Sequence, residues 1–198
     1  MSALYLRGLK QGDVQMTATG LVTAGLFFLL SQAKPLVKVA AERPSKSVFA
    51  PAVLCSIIGQ FLVHLMSLMA VLHLCELFVP YSEDAINLSV DGKFQPNLVN
   101  GAMFLLGAVI QINNFVVNYR GHPFTQGVTE NVVFWNSVRF LYLCLAVAVS
   151  GTLEPLNDLL QLAPFPAHAP EFKSYLAIIL VGNTALTYGV ETLCRKIE

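Results

Sequence analysis

Charge is what this chain has least of. Its 198 residues carry 12 Lys and Arg and 12 Asp and Glu, a 12% charged share that is about half of what soluble domains carry. The two signs cancel to a formal net charge of zero, so no global field draws the chain to nucleic acid, and no nucleic-acid partner is expected. The four cysteines, Cys55, Cys75, Cys144 and Cys194, form no CxxC and no paired spacing. They read as small apolar residues of helices. No metal site and no catalytic residue is expected in the chain.

What is abundant is apolar: 55% of residues are hydrophobic and the mean hydropathy is +0.62. The apolar residues fall into five long runs, close to or above the roughly 20 residues a helix needs to cross the hydrocarbon core. They predict an all-α membrane protein, a single bundle over 1–198 with five transmembrane helices at 14–32, 51–79, 98–119, 132–151 and 172–194.

The loop between the first two runs, with Lys34, Lys38, Arg43 and Lys46, is the most basic in the chain, and short basic loops stay on the cytosolic side. Alternation then puts eight of the twelve Lys and Arg (34, 38, 43, 46, 120, 139, 195 and 196) in the cytosol and four (7, 10, 93 and 173) opposite. The acidic stretches Pro80 to Pro96 and Thr152 to Glu171 fall on the non-cytosolic side, the first with an N-glycosylation sequon at Asn87. A cleaved leader at Ser31-Gln32-Ala33 is disfavoured, because more positive charge follows the first run than precedes it. An odd number of spans with Arg7 and Lys10 translocated reads as the back part of something longer.

Polar residues inside the runs are the candidates for function, since a membrane has no water to satisfy them. In the second run Gln60, His64 and Ser67 share one face, whereas His73, nine residues beyond His64, points nearly the other way and can pair with Glu76. In the third run Asn100, Gly107, Gln111, Asn114 and Asn118 fall within roughly 60° of one line at about 100° per residue. Asn100, Gln111, Asn114 and Asn118 are therefore candidates for a substrate-facing cavity. Gln60, His64, Asn183 and Thr187 are candidates for interhelical polar contacts. Glu191, four residues after Thr187, precedes Arg195 in the favourable order for a helical ion pair. Trp135 is expected at the cytosolic interface and Arg139 to snorkel towards it.

Three stretches carry a resemblance: SQAKPLVKVAAERP from Ser31 to Pro44, FLVHLMSL from Phe61 to Leu68, and NYRGHPF from Asn118 to Phe124 followed by Glu130-Asn131. In order and spacing the chain resembles the C-terminal membrane region, helices six to ten, of the class-five, A-subgroup P-type ATPases, the endoplasmic-reticulum transmembrane-helix dislocases. It departs from that pattern at Gln32 and Ala33, at His122, where a second Pro is usual, and at the more polar Asn113 and Asn114. The resemblance implies a parent that uses ATP and magnesium to remove mistargeted transmembrane segments from the endoplasmic-reticulum membrane. It implies a multi-pass protein there, with its C-terminus cytosolic and its N-terminus lumenal. Its partners would be the bilayer, the N-terminal part of the ATPase and a transmembrane-helix cargo. The chain has no Asp-Lys-Thr-Gly-Thr phosphorylation motif, so it is expected to be non-catalytic by itself and to bind no cofactor. The alternative is a stand-alone small polytopic module for binding or assembly.

Overall fold

The computed structural model describes residues 10–41, 47, 49–78, 94–166 and 169–197. The sequon at Asn87 and most of the stretch around it lie outside the described residues, as do Arg7, Arg43, Lys46 and Lys93. Among the described residues the protein is all helical. The helices are α1 (Asp13–Ser31), α2 (Pro51–Phe78), α3 (Leu98–Asn118), α4 (Val132–Ser150), the short α5 (Glu154–Leu159) and α6 (Glu171–Ile197). All but α5 are long and apolar enough to cross a membrane.

The helix ends follow from local chemistry. Gly12 precedes α1 and its N–H donates to Gln15 Oε1 (3.4 Å), with Asp13 in the first turn, where the helix dipole favours an anion. Asn97 and Asn131 cap α3 and α4, accepting from the N–H groups of Asn100 (2.8 Å) and Phe134 (3.2 Å). Pro51 begins α2, where a missing N–H costs nothing. Gly151 ends α4 at φ 70°, and an added Cβ would lie 3.0 Å from Lys173 Nζ, so the reversal into α5 requires glycine. The 28 residues of α2 extend about 42 Å at 1.5 Å per residue, more than the roughly 30 Å core, so this helix is long enough to span with tilt.

The third helix is the axis of the bundle. Twelve of its 21 residues are buried, and α1, α2, α4 and α6 all pack on it. Towards its N-terminal end Ala102 to Leu106 and Val109 join Val71, Leu74, Phe172 and Leu176 in one apolar core. Towards its C-terminal end Ile112 and Val116 join Leu26, Phe134 and Val138 in a second. The outer faces remain apolar and exposed, among them Phe27, Phe28, Ile57, Phe61, Met66 and Leu186. In water such a surface would aggregate; against lipid tails it is the expected exterior.

At the end bearing the basic loop, two connections are stitched together. Pro35 bridges to Thr125, Leu36 N–H donates to Phe124 O (2.9 Å), Gln126 N–H to Lys34 O (3.0 Å) and Ala40 N–H to Pro123 O (3.2 Å). A Cβ on Gly121 would sit 1.9 Å from Gln126 O, so the turn closes only with glycine there. Glu130 accepts from Gly127 N–H (2.7 Å) and pairs with His122 Nε2 (3.1 Å). Asn131 Nδ2 reaches Leu29 O of α1 (3.1 Å). The stretch from Asn118 to Asn131 thereby ties the ends of α1 and α3 to the start of α4.

The Gly127 N–H and then the His122 hydrogen bond hold the Glu130 carboxyl below its ordinary value. A depressed acid contributes its stabilisation above its unfolded pKa and loses it as pH falls through the folded one. Protection of the Gly127 amide against hydrogen exchange should therefore fall on acidification below the usual Glu range. In Glu130→Gln the protection should be weaker at neutral pH and insensitive to that acidification, as amide-resolved exchange can measure.

Candidate functional site

The polar residues of α3 divide by the helix each one faces. Asn113, fully buried, donates from Nδ2 to Asn183 Oδ1 (3.1 Å) and Thr184 Oγ1 (3.3 Å) of α6 and accepts at Oδ1 from Tyr142 O–H of α4 (2.5 Å). Asn183 Nδ2 in turn donates to Ser67 Oγ (2.9 Å) and His64 Nδ1 (3.1 Å) on α2. An amide nitrogen can only donate, so Nδ1 accepts and the His64 proton resides on Nε2, which faces Asn114 Oδ1 at 3.3 Å. The run Tyr142, Asn113, Asn183, His64, Asn114 is a directed chain of hydrogen bonds through four helices.

One turn and more towards the basic-loop end, a second cluster centres on Glu191, 5% exposed. Ser56 O–H donates to its Oε2, and Gln60 Nε2 lies 3.2 Å from the same oxygen. Arg195 Nε (2.7 Å) and Arg120 Nη2 (3.4 Å) donate to Oε1. Gln60 also exchanges two amide hydrogen bonds with Asn118, at 3.1 and 3.2 Å. Arg195 Nη2 caps the Val117 carbonyl near the end of α3 (2.9 Å). The carboxylate has lost water but gained two cations and two neutral donors, which is the condition under which a buried charge is tolerated.

Of the four cavity candidates, Gln111, Asn114 and Asn118 line open grooves. One, about 730 Å³, lies between α1 and α3 and includes Thr19, Thr23, Phe27 and Gly107. The other, about 680 Å³, lies between α2 and α3 and includes Ser56, Gln60, His64, Arg120 and Glu191. Asn114 and Asn118 belong to both, so the two grooves flank one polar ridge. Gln111 Nε2 donates to Thr19 O (3.1 Å) and to Thr23 Oγ1. Asn100 lies elsewhere: it is fully buried near the opposite end of α3, donates to Lys10 O (2.8 Å), and lines neither groove.

The interhelical candidates Gln60, His64 and Asn183 bond as described. Thr187 instead donates to Asn183 O of its own helix (2.7 Å), the local alternative always open to a helical threonine. His73 Nδ1 lies 3.8 Å from Glu76, both outward. Arg139 lies over the Trp135 ring, 5.2 Å from its centroid. Reading the residues alone missed Asn113 and Tyr142, because the periodicity of α3 selects one face and these two meet on another. No group of three His, Cys, Asp or Glu side chains able to hold a metal occurs among the described residues.

Replacing Glu191 by Leu should destabilise the detergent-purified protein by about 1–3 kcal/mol, since Ser56 and Gln60 lose a buried acceptor. The loss stays below the roughly 3–5 kcal/mol of a fully buried broken pair because Arg120 and Arg195 are 38% and 45% exposed and can turn to water. Thermal unfolding followed by thiol-reactive dye at buried Cys75 measures it.

No family model matches the chain. Comparison with curated proteins finds similarity along its length. The chain is 40% identical over 166 residues, 84% of its length, to the probable manganese-transporting ATPase PDR2 of Arabidopsis thaliana. It is 30% identical over 198 residues, its whole length, to the endoplasmic reticulum transmembrane helix translocase spfA of Aspergillus fumigatus. To the endoplasmic reticulum transmembrane helix translocase of Saccharomyces cerevisiae it is 31% identical over 192 residues, 96% of its length. It spans 14%, 15% and 15% of these three proteins.

Proposed function

The chain belongs to the endoplasmic-reticulum transmembrane helix translocases, a family of P-type ATPases, and from that premise we propose that its five helices are the C-terminal part of the membrane domain of such an enzyme. In this reading the chain supplies no catalytic group. ATP and magnesium act in the much longer N-terminal part, and the two parts work as one protein in the endoplasmic-reticulum membrane. The five-helix bundle is the support against which that part moves, and the polar ridge of α3 is one wall of the cavity that receives a cargo helix.

The observation that carries this reading is the ridge itself. Asn114, one turn inside the end of α3, and Asn118, its last residue, are both exposed to open grooves of an apolar bundle. Lipid tails would leave their remaining donors and acceptors unsatisfied, so the grooves hold water or a polar partner. A membrane segment mistargeted to this bilayer brings polar or charged flanks, and such a ridge can solvate them.

A metal ion is the other cargo suggested by a relative's name, that of the manganese-transporting protein. Manganese favours carboxylates, carbonyls and water, and the buried carboxylate at the groove, Glu191, is already held by Arg120 and Arg195. The groove therefore favours a helix over a divalent cation.

Gln111→Leu combined with Asn114→Leu should leave expression and membrane insertion intact. It should slow release of a mistargeted helix by the ATPase roughly eightfold, from the loss of one membrane hydrogen bond to the cargo at each position, at about 0.6 kcal/mol each. Unchanged release together with a loss of thermal stability would assign the ridge to packing instead. For orientation, we place the Lys34 to Ser47 loop in the cytosol. Protease added outside sealed microsomes should cut there, and full protection would reverse the topology.

A further inference from the structure

On the side of the bundle away from the ridge, α4 and α6 diverge and leave an apolar groove of about 610 Å³. Its floor is Val109 of α3, and its walls are lowered by small residues, Ala146 on α4 and Ala177 and Ala185 on α6. From Ser174 at its mouth to Ala185 the groove follows twelve residues of α6, a rise of about 16 Å at 1.5 Å per residue step. That is half of the roughly 30 Å hydrocarbon thickness, the depth of one leaflet.

The mouth opens at the end of the bundle opposite the Lys34 loop, where Gly151 closes α4 and Glu171 begins α6. Lys173 stands there, half-buried. Its ammonium donates to Ser150 O (3.1 Å) and lies 5.5 Å from the centroid of the Phe165 ring. Of its three N–H donors, the Ser150 bond takes one. A cation held at the interface by a carbonyl and an aromatic face, directly above an apolar slot one leaflet deep, is complementary to a phosphodiester joined to an acyl chain.

We propose that this groove is a binding site for one glycerophospholipid of the leaflet opposite the Lys34 loop, with an acyl chain lying between α4 and α6 and the headgroup phosphate on Lys173. The slot is too short for a whole transmembrane helix, since its lining runs only from Lys173 and Ser150 at the mouth to Tyr142 and Ala185, about half a hydrocarbon thickness away. The bound chain fills a gap that the small side chains leave, and so it completes the packing of α4 on α6. This site is independent of the cargo reading, because it shares no residue with the α3 ridge.

The test uses the protein purified from its own membranes with phosphatidylcholine bearing a diazirine on its acyl chain, photolysed and mapped by peptide mass spectrometry. Adducts should concentrate on 142–150 and 173–185 and be displaced by excess plain phosphatidylcholine. They should fall about fivefold in Lys173→Gln, the factor expected for one Lys near a phospholipid phosphate. Ala177→Leu should abolish them there while the outer face of α2, at Phe61 and Met66, is labelled as before. Adducts equally dense on α2 and not displaced by plain lipid would overturn the site, and this arm needs no substitution to fold. Adducts in the groove that are displaced but indifferent to Lys173→Gln and Ala177→Leu would overturn the assigned pose.

Discussion

An amide in hydrocarbon is costly unless it is paired, and among the described residues the third helix carries more amides than any other. Four of its five pair with a neighbouring helix, while Asn100, near the other end, donates to the Lys10 carbonyl and leaves its Oδ1 without a partner. Gln111 meets α1, Asn113 meets α4 and α6, Asn114 meets α2, and Asn118 meets α2 through Gln60. Apolar contacts alone would leave these helices free to slide, because lipid tails are as apolar as leucine. The directed hydrogen bonds fix rotation and depth; the two apolar clusters above and below then fill the remaining space.

The same constraint explains why the polar layer is asymmetric. On the α4 and α6 side Asn113 and Asn183 are enclosed, and Asn113 bonds through both its nitrogen and its oxygen. On the α1 and α2 side Asn114 and Asn118 keep exposed polar atoms, and the carboxylate of Glu191 gathers two arginines beside them. One side of α3 is thus enclosed and cohesive, and the other, in the function proposed above, is the side that meets something other than lipid. The stitched connections at the basic-loop end tie α1 and the start of α4 to the end of α3.

Much of this was legible in the sequence, and the physical reasons differ by feature. The all-helical class and the number of spans follow from the scarcity of charge, because a run of about 20 apolar residues has few other uses. The ridge of α3 was legible because helical periodicity projects onto one line. Asn113 was not, although it adjoins Asn114, because successive residues lie about 100° apart around the helix and its partners belong to α4 and α6. Asn100 shares the angle of the ridge but not its depth, and angle alone cannot distinguish the two. Thr187 shares the face of Asn183 yet satisfies itself on its own backbone. The turn from Asn118 to Asn131 could be recognised as a pattern before its purpose was evident; only the carbonyl of Gln126 against Gly121 and the reach of Asn131 to Leu29 supply the reason.

The central claim is that the α3 ridge is wet while the helix around it is dry. Single cysteines at 114, 118 and 116, in a background where the four native cysteines are replaced, can be exposed in intact membranes to a maleimide too polar to enter lipid. Reaction is predicted at 114 and 118 in at least one transport state and none at 116, where Val116 is 5% exposed. Equal inertness at all three positions in every state would contradict a wet ridge.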